Sequence, residues 1–154
     1  MSLNALLGSP SSRESSLQSR AIDNSKNNSL RNATNLGTYR PGRPFSFRVR
    51  SSVNPSDRIN VYKYQLNPGV NGTSFFQITA KGKGVQVQNF SQLGKGSITR
   101  DAQVQVTPTS PFVVSNGRDF NFTTQPVTFY LRVSLVRAKA DYRIVFSSVP
   151  ATTA

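Results

Sequence analysis

The chain has 154 residues, enough for one domain and an extension. It contains 19 Lys and Arg but only 6 Asp and Glu, which gives a net charge of +13. Because Cys and His are absent, disulfides and thiol chemistry are excluded and the commonest general base is missing. No apolar run is long enough to span a bilayer, and the first residues lack the pattern of a signal peptide. We therefore expect a cytoplasmic protein, with export by a signal-less route left open.

Residues 1–40 are rich in Ser, Asn, Arg and Leu, and aromatic residues are absent before Tyr39. Such a segment buries little apolar surface and does not fold alone. We predict a polar, basic and mostly irregular N-terminal arm with short helical pieces. One of these pieces is predicted by the helical spacing of Leu30, Ala33 and Leu36, which ends at Gly37, a favourable C-cap residue.

Residues 41–150 alternate between apolar and polar side chains, the period of two that indicates half-buried strands. The alternating segments are residues 45–50, 60–66, 76–80, 85–88, 103–106, 127–135 and 142–146. Gly-, Asn- and Pro-rich turn signals stand between them, among them Asn71-Gly72, Gly82-Lys83-Gly84, Gly94-Lys95-Gly96 and Asn116-Gly117. Short strands separated by turns predict an all-β antiparallel sandwich or barrel over 41–150, followed by a tail at 151–154.

The apolar face of each predicted strand supplies the predicted core. Its members are Phe47, Val49, Tyr62, Tyr64, Leu66, Phe76, Ile78, Val87, Leu131, Val133, Tyr142, Ile144 and Phe146.

The order of these segments resembles a known family. The motif Asn35-Leu36-Gly37-Thr38 leads into a strand, a loop follows, and then comes the aromatic strand Asn60–Leu66. The segments Phe129–Val133 and Asp141–Phe146 match the family's ending. Over residues 24–148 the chain is similar to bacterial pre-peptidase C-terminal (PPC-type) domains, particularly the cyanobacterial ones.

The resemblance implies a jelly-roll-like β-sandwich that acts as an accessory module and not as a catalyst. Family members are usually secreted, acidic and often calcium-binding, whereas this chain is strongly basic and has Gly84–Asn89 where the family often has an acidic strand. Calcium requires several convergent oxygen ligands, preferably carboxylates, and the few carboxylates of this chain are scattered. We therefore expect no metal and no cofactor.

The sequence offers no convincing catalytic or phosphate-binding motif. A Ser–Lys pair is expected by chance in so serine-rich a chain, and paired carboxylates at close spacing do not occur. The two Gly-Lys-Gly segments, around Lys83 and Lys95, lack the spacing and the following helix of a phosphate-binding loop, and indicate hairpin turns. We therefore expect a protein that is not an enzyme.

Basic residues are the remaining functional signal, and Arg outnumbers Lys among them. Arginine suits interfaces because its planar fork binds carboxylate and phosphate groups in a bidentate manner. Three groups form the predicted partner-binding set: the arm, the junction between arm and domain, and the final pair of strands, interpreted as a hairpin. The members are Arg13, Arg20, Lys26 and Arg31, then Arg40, Arg43, Arg48 and Arg50, then Arg132, Arg137, Lys139 and Arg143. A merely solvated basic surface is the alternative interpretation.

Three functions fit this basic surface. The first is a structural or linker protein that docks on an acidic protein assembly, for which the cyanobacterial resemblance makes the phycobilisome a candidate. The second is a surface or extracellular module that binds anionic polysaccharide or forms fibres. The third is a nonspecific nucleic-acid binder, which the charge permits although the chain has no helix-turn-helix, zinc-finger or aromatic RNA-binding motif.

Overall fold

The computed structural model describes residues 27–151, which contain nine β-strands and no helix. The strands are β1 (Thr34–Tyr39), β2 (Phe45–Val53), β3 (Ile59–Leu66), β4 (Asn71–Ala80), β5 (Val85–Leu93), β6 (Ile98–Val106), β7 (Phe112–Phe120), β8 (Val127–Leu135) and β9 (Ala140–Pro150). Every alternating segment of the sequence lies inside one of these strands. The described part of the chain contains no helix that is long and apolar enough to cross a membrane.

Two sheets face each other in a β-sandwich, which confirms the predicted fold class. The five-stranded sheet has the order β1-β3-β8-β5-β6, and the four-stranded sheet has the order β2-β9-β4-β7. All neighbouring strands are antiparallel except β1 and β3, which are parallel. Only β5 and β6 are consecutive strands that pair, so most connections cross from one sheet to the other, as in a jelly roll.

Aromatic side chains dominate the interior between the two sheets. Phe146 lies at the centre, with its ring centroid 5.8 Å from that of Phe47, 6.2 Å from Phe76 and 6.5 Å from Phe45. All residues of the predicted core are buried, so the choice of the apolar face was right for the six strands that supply them. A core of this kind holds both sheets together because each large side chain removes apolar surface from water.

The region before residue 41 differs from the prediction. Leu30, Ala33 and Leu36 do not form a helix, since β1 begins at Thr34 and Leu36 is 1% exposed in the core. The sandwich also reaches back to Asn27, whose backbone oxygen accepts a hydrogen bond from the Val61 amide at 2.7 Å. The predicted boundary at residue 40 is therefore too late for the described residues. What was predicted for residues 1–26 lies outside them.

Two turn assignments are also wrong. Asn116-Gly117 lies inside β7, where the pairing with β4 shifts register and Asn116 has a φ of 56°. This is a β-bulge, and Asn tolerates the left-handed backbone that the extra residue requires. Gly72 lies inside β4, and a Cβ there would clash with the Tyr39 hydroxyl and stand 2.6 Å from the Val149 oxygen. Gly is needed at this position for close packing of strands.

The connections gather at two ends of the sandwich. The entry end, near residue 27, carries the β2–β3, β4–β5, β6–β7 and β8–β9 connections, and the exit end carries the other four. Since β4 and β5 belong to different sheets, Gly82-Lys83-Gly84 makes a crossover at the entry end and no hairpin. The same holds for β8 and β9, whereas Gly94-Lys95-Gly96 joins the true hairpin β5–β6 at the exit end.

Candidate cationic cleft

The structure separates the predicted basic residues into distinct locations. Arg13, Arg20 and Lys26 lie outside the described residues. Arg31 is exposed before β1, Arg40 and Arg43 are exposed in the β1–β2 connection at the exit end, and Arg132 lies on the five-stranded sheet. Arg137 and Lys139 are exposed in the β8–β9 connection at the entry end. Only Arg48, Arg50 and Arg143 meet on one sheet face.

These three arginines lie on the outer face of the four-stranded sheet, near the entry end. Phe47 and Val49 point into the core, so Arg48 and Arg50 between and beyond them point outward, as the alternation predicted. In the antiparallel ladder Arg50 is directly opposite Arg143, and Arg48 is opposite Val145. Directly opposite side chains have Cβ atoms about 4.5–5.5 Å apart, and like charges in that position destabilise a sheet.

Two of these arginines also contain polar atoms that the protein leaves unsatisfied. The Nε atoms of Arg48 and Arg143 are buried and have no hydrogen-bond partner. Both side chains are partly exposed, so the stems lie against the sheet while the guanidinium groups reach the surface. The buried Nε atoms are out of reach of a ligand, but Nη groups at the surface can donate to an incoming carboxylate or sulfate oxygen.

A cleft of about 580 Å³ opens over this part of the sheet. It lies between the ends of β2 and β4, with the first residues of β9 as its floor. Its lining consists of Arg50, Ser51, Ser52, Thr79, Ala80, Lys81, Asp141, Tyr142 and Arg143. We call it the cationic cleft, because three of its four charged side chains are positive.

Lys81 and Thr79 enter the cleft from β4 and its end. Thr79 is opposite Arg143 in the ladder, on the side away from Arg50. The Lys81 backbone amide donates a 2.8 Å hydrogen bond to the backbone carbonyl oxygen of Asp141. The sequence analysis missed Lys81. The alternation of β4 indicates which residues face outward, but only the pairing of β4 with β9 shows that Lys81 joins the arginines.

The remaining groups of the cleft are mostly neutral and polar. Ser52 and Thr79 contribute hydroxyls, and the single carboxylate is that of the exposed Asp141. Tyr142 forms part of the floor, with its hydroxyl turned inward, where it lies 2.6 Å from that of Tyr62. Burial raises the pKa of Tyr142 well above 10.0, so this phenol is a neutral structural group.

A second polar cluster lies inside the sandwich. Ser148 donates a 2.9 Å hydrogen bond to Asp119, Ser74 donates a 3.1 Å bond to the other carboxylate oxygen, and the Tyr39 hydroxyl lies 2.6 Å from Ser148 Oγ. Asp119 is 1% exposed, and burial raises its pKa to about 7. All four side chains are buried, and their hydrogen bonds tie edge strand β7 and strand β1 to β9.

The outer face of the five-stranded sheet also carries an arginine, but in a different setting. Arg132 donates a 2.7 Å hydrogen bond from Nη1 to Gln88, and Gln88 donates a 3.0 Å bond to Gln103. The Tyr130 hydroxyl donates a 3.2 Å bond to Gln92 on the same face. Arg132 therefore shares a hydrogen-bond network with two glutamines of this face and is no part of the cationic cleft.

Within residues 27–151 no group of three or more Asp and Glu side chains is placed to hold a metal ion. Four aspartates occur in this range, and Asp119 is enclosed while Asp141 stands among cations. The donors gathered in the cleft are those that bind anions and hydroxyl groups.

Comparison with known proteins assigns no family to the chain. No family model matches the chain, and no curated protein matches it either. Among solved structures, the chain is similar to TmCBM61 in complex with β-1,4-galactotriose, with a TM-score of 0.35 and 15% sequence identity, over 72% of this chain and 67% of that one. So slight a likeness carries no argument about the ligand of this chain. The similarity to PPC-type domains stays a prediction.

Proposed function

We propose that the domain is a non-catalytic binding module that holds an acidic polysaccharide in the cationic cleft. The observation that carries the proposal is the pair Arg50 and Arg143, which stand directly opposite each other on the outer sheet face beside Lys81. Two like charges in this position cost folding free energy, and a bound anion between them removes that cost. A uronate carboxylate or a sulfate ester provides the planar or multidentate acceptor that guanidinium groups bind.

The lining favours a saccharide over other anionic polymers. Ser52 and Thr79 can donate to or accept from sugar hydroxyls, and the Asp141 carboxylate accepts from them. The volume of about 580 Å³ lies within the range of about 300–1,000 Å³ that is usual for small-ligand sites.

The test is isothermal titration calorimetry with polygalacturonate, compared with neutral dextran. The double variant Arg50→Gln/Arg143→Gln removes the charge pair and keeps hydrogen-bonding side chains of similar shape. The matched control, Arg40→Gln/Arg43→Gln, removes the same charge from the exit end. We expect the cleft variant to lose affinity by about tenfold or more and the control to lose about twofold or less, because charge-assisted hydrogen bonds outweigh diffuse attraction.

Three outcomes would contradict the proposal. Equal losses in the two double variants would mean that only the total charge matters. Tighter binding of single-stranded nucleic acid than of polygalacturonate, at matched salt, would favour the nucleic-acid hypothesis. Release of reducing ends from polygalacturonate by purified protein would overturn the non-catalytic assignment.

Docking on an acidic protein assembly is the second candidate, and the entry end favours it. Arg58, Lys83, Arg137 and Lys139 are exposed in three connections there, and together they make a broad basic surface beside the cleft. Broad surfaces of one charge suit a protein partner of opposite charge. A pull-down from nuclease-treated lysate tests this candidate. The variant Arg137→Gln/Lys139→Gln should lose acidic proteins, and the variant Arg40→Gln/Arg43→Gln should retain them. If both variants retain the same acidic proteins, this candidate is wrong. No described contact favours a phycobilisome over another acidic assembly.

A further inference from the structure

Phe75 stands on the same outer face as the arginines and is 39% exposed. It belongs to β4, where Phe76 points into the core at 0% exposure and Phe75 therefore points outward. Within residues 27–151 its ring takes part in none of the aromatic pairs that join the phenylalanines of the core. Within the described residues no aromatic ring therefore covers Phe75 on the outer face.

The residues directly beside Phe75 on this face are small or polar, whereas Val113, Val145 and Val149 occupy diagonal positions. Ser147 lies directly opposite on β9, and Thr73 and Gln77 precede and follow it on β4. The backbone pairing places Ser115 and Asn116 of β7 on its other side. The ring therefore has hydroxyl and amide groups directly beside it and valine side chains at the diagonals, which together make an apolar surface with hydrogen-bonding groups at its edge.

The β-bulge of β7 lies next to this ring. Ser74 pairs with Gly117 and Phe76 with Val114, so Phe75 faces two residues of β7 instead of one. Such bulges bend the edge strand, increase its twist and redirect side chains, and they are frequent beside binding sites. In a regular strand one side chain of β7 would stand opposite Phe75, whereas here the bulge places two residues there.

Phe75 and the cleft lie along one line of the sheet. Thr79 of the cleft is four residues further along β4, which corresponds to about 14 Å between the two Cα atoms. Gln77 of β4 and Val145 of β9 lie side by side between them. A polymer held at Arg50 and Arg143 that extends towards the exit end passes over Phe75.

We infer that Phe75 is a stacking subsite for a neutral-faced sugar ring of the same acidic polysaccharide whose anionic group occupies the cationic cleft. This inference rests on the proposed function. A pyranose ring has an apolar face of C–H groups that packs on an aromatic ring, while its hydroxyls reach the rim around Phe75. Small-molecule sites generally combine an apolar surface with a few polar groups that orient the ligand, and Phe75 with its polar neighbours has this composition.

The experiment compares ligands of different length. Phe75→Ala is titrated with monomeric galacturonate and with polygalacturonate, in parallel with Phe122→Ala. Phe122 is the matched control because it is 86% exposed at the exit end, in the β7–β8 connection, and pairs with the Phe120 ring. We expect Phe75→Ala to lose affinity for the polymer by about fivefold and to keep its affinity for the monomer. Phe122→Ala should bind both ligands like the unsubstituted protein.

The outcomes separate this inference from the proposed function. If Arg50→Gln/Arg143→Gln loses polymer binding and Phe75→Ala does not, the cleft binds the ligand and the stacking subsite is wrong. If the unsubstituted protein binds neither ligand, the proposed function itself fails. Equal losses in Phe75→Ala and Phe122→Ala would mean nonspecific apolar adhesion, and an unchanged melting temperature of Phe75→Ala shows that the fold is intact.

Discussion

The two outer faces of the sandwich treat their arginines differently. On the five-stranded sheet, Arg132 is held by Gln88, which in turn is held by Gln103. On the four-stranded sheet, Arg143 faces Arg50 across the ladder, and its Nε atom is buried without a partner. Both arginines contribute to the same net charge, yet Arg132 has a hydrogen-bond partner in the protein whereas Arg143 has a second arginine opposite it.

This difference shows that the net charge of a protein does not by itself indicate where a ligand binds. An arginine whose donors are used within the protein contributes to solubility and to attraction over about a Debye length. An arginine opposite a second arginine carries a cost that its ligand can remove. The useful observation is therefore the pairing of side chains across a ladder, and the following experiments test how far the two faces differ.

The largest effect is expected in the core that supports both faces. Phe146→Ala removes a ring that packs against three others and should lower the free energy of unfolding by about 3–5 kcal/mol, through lost burial and a residual cavity. The matched control is Val149→Ala on the same strand, which should cost little because Val149 is 57% exposed. Chemical denaturation measures both, and equal midpoints would mean that the faces of β9 are assigned the wrong way round.

A pH-dependent effect is expected from Asp119, beneath the four-stranded sheet. Burial raises its pKa from 3.8 to about 7, in spite of the hydrogen bonds from Ser148 and Ser74. The folded state therefore holds this proton more tightly than the unfolded state does. Stability from this group is fully present below about pH 4, falls as the pH rises towards 7, and is lower above it by at most about 4 kcal/mol.

The matched variant for this pH effect is Asp119→Asn, which cannot ionise. Its stability should vary less between pH 4 and pH 8 than that of the unsubstituted protein, and at pH 8 it should be the more stable of the two. Denaturation at the two pH values measures the difference. A parallel pH dependence in both proteins would show that another group is responsible.

The contrast between the arginines is tested directly by Arg132→Met and Arg143→Met, each of which keeps the apolar stem. Arg132→Met breaks the hydrogen bond to Gln88 and should cost about 1 kcal/mol. Arg143→Met removes a like-charge contact with Arg50 and should stabilise the free protein by about 0.5 kcal/mol. If both variants lose stability to the same extent, the two faces do not differ in the way described.

The smallest effect is expected from calcium. Asp57, Asp101, Asp119 and Asp141 lie apart from one another within the described residues, so we expect melting in calcium and in chelator to differ by less than about 5 °C. The variant Asp141→Asn, in the cleft, is the matched control. If calcium raises the melting temperature by more than this and Asp141→Asn abolishes the increase, the cleft binds a cation and the proposed anion site is wrong.

The sequence was sufficient for seven of the nine strands, because each of these carries its own signal. Strand β7 was missed, since its Asn116-Gly117 was predicted as a turn. Phe45, Phe47 and Val49 alternate with polar residues whatever strand lies beside them, and the inner face follows from that alternation alone. Strand β1 has no such signal. Its residues pair in parallel with β3, across a long stretch of chain, and the helical spacing of Leu30, Ala33 and Leu36 arises by chance.

The cleft could be predicted only in part for a related reason. Arg48 and Arg50 share a strand, so their common face was predicted from their spacing. Arg143 and Lys81 join them through the order β2-β9-β4, which depends on tertiary packing and on no local pattern. The same non-local order moved Arg132 to the opposite face, although it lies close to Arg143 in sequence.

The parallel arrangement of the first and last strands has a mechanical consequence. The chain reaches β1 at the entry end, and Ala151 follows β9 at the exit end, where its amide bonds to the Asn71 oxygen. A pulling force applied between residues 27 and 151 therefore acts along the strands and shears the ladders of β9, which is paired on both sides. Many hydrogen bonds then resist together, whereas a force across the strands would break them one after another. The rate of unfolding under tension, which governs such resistance, should be low for this domain when it is pulled lengthwise.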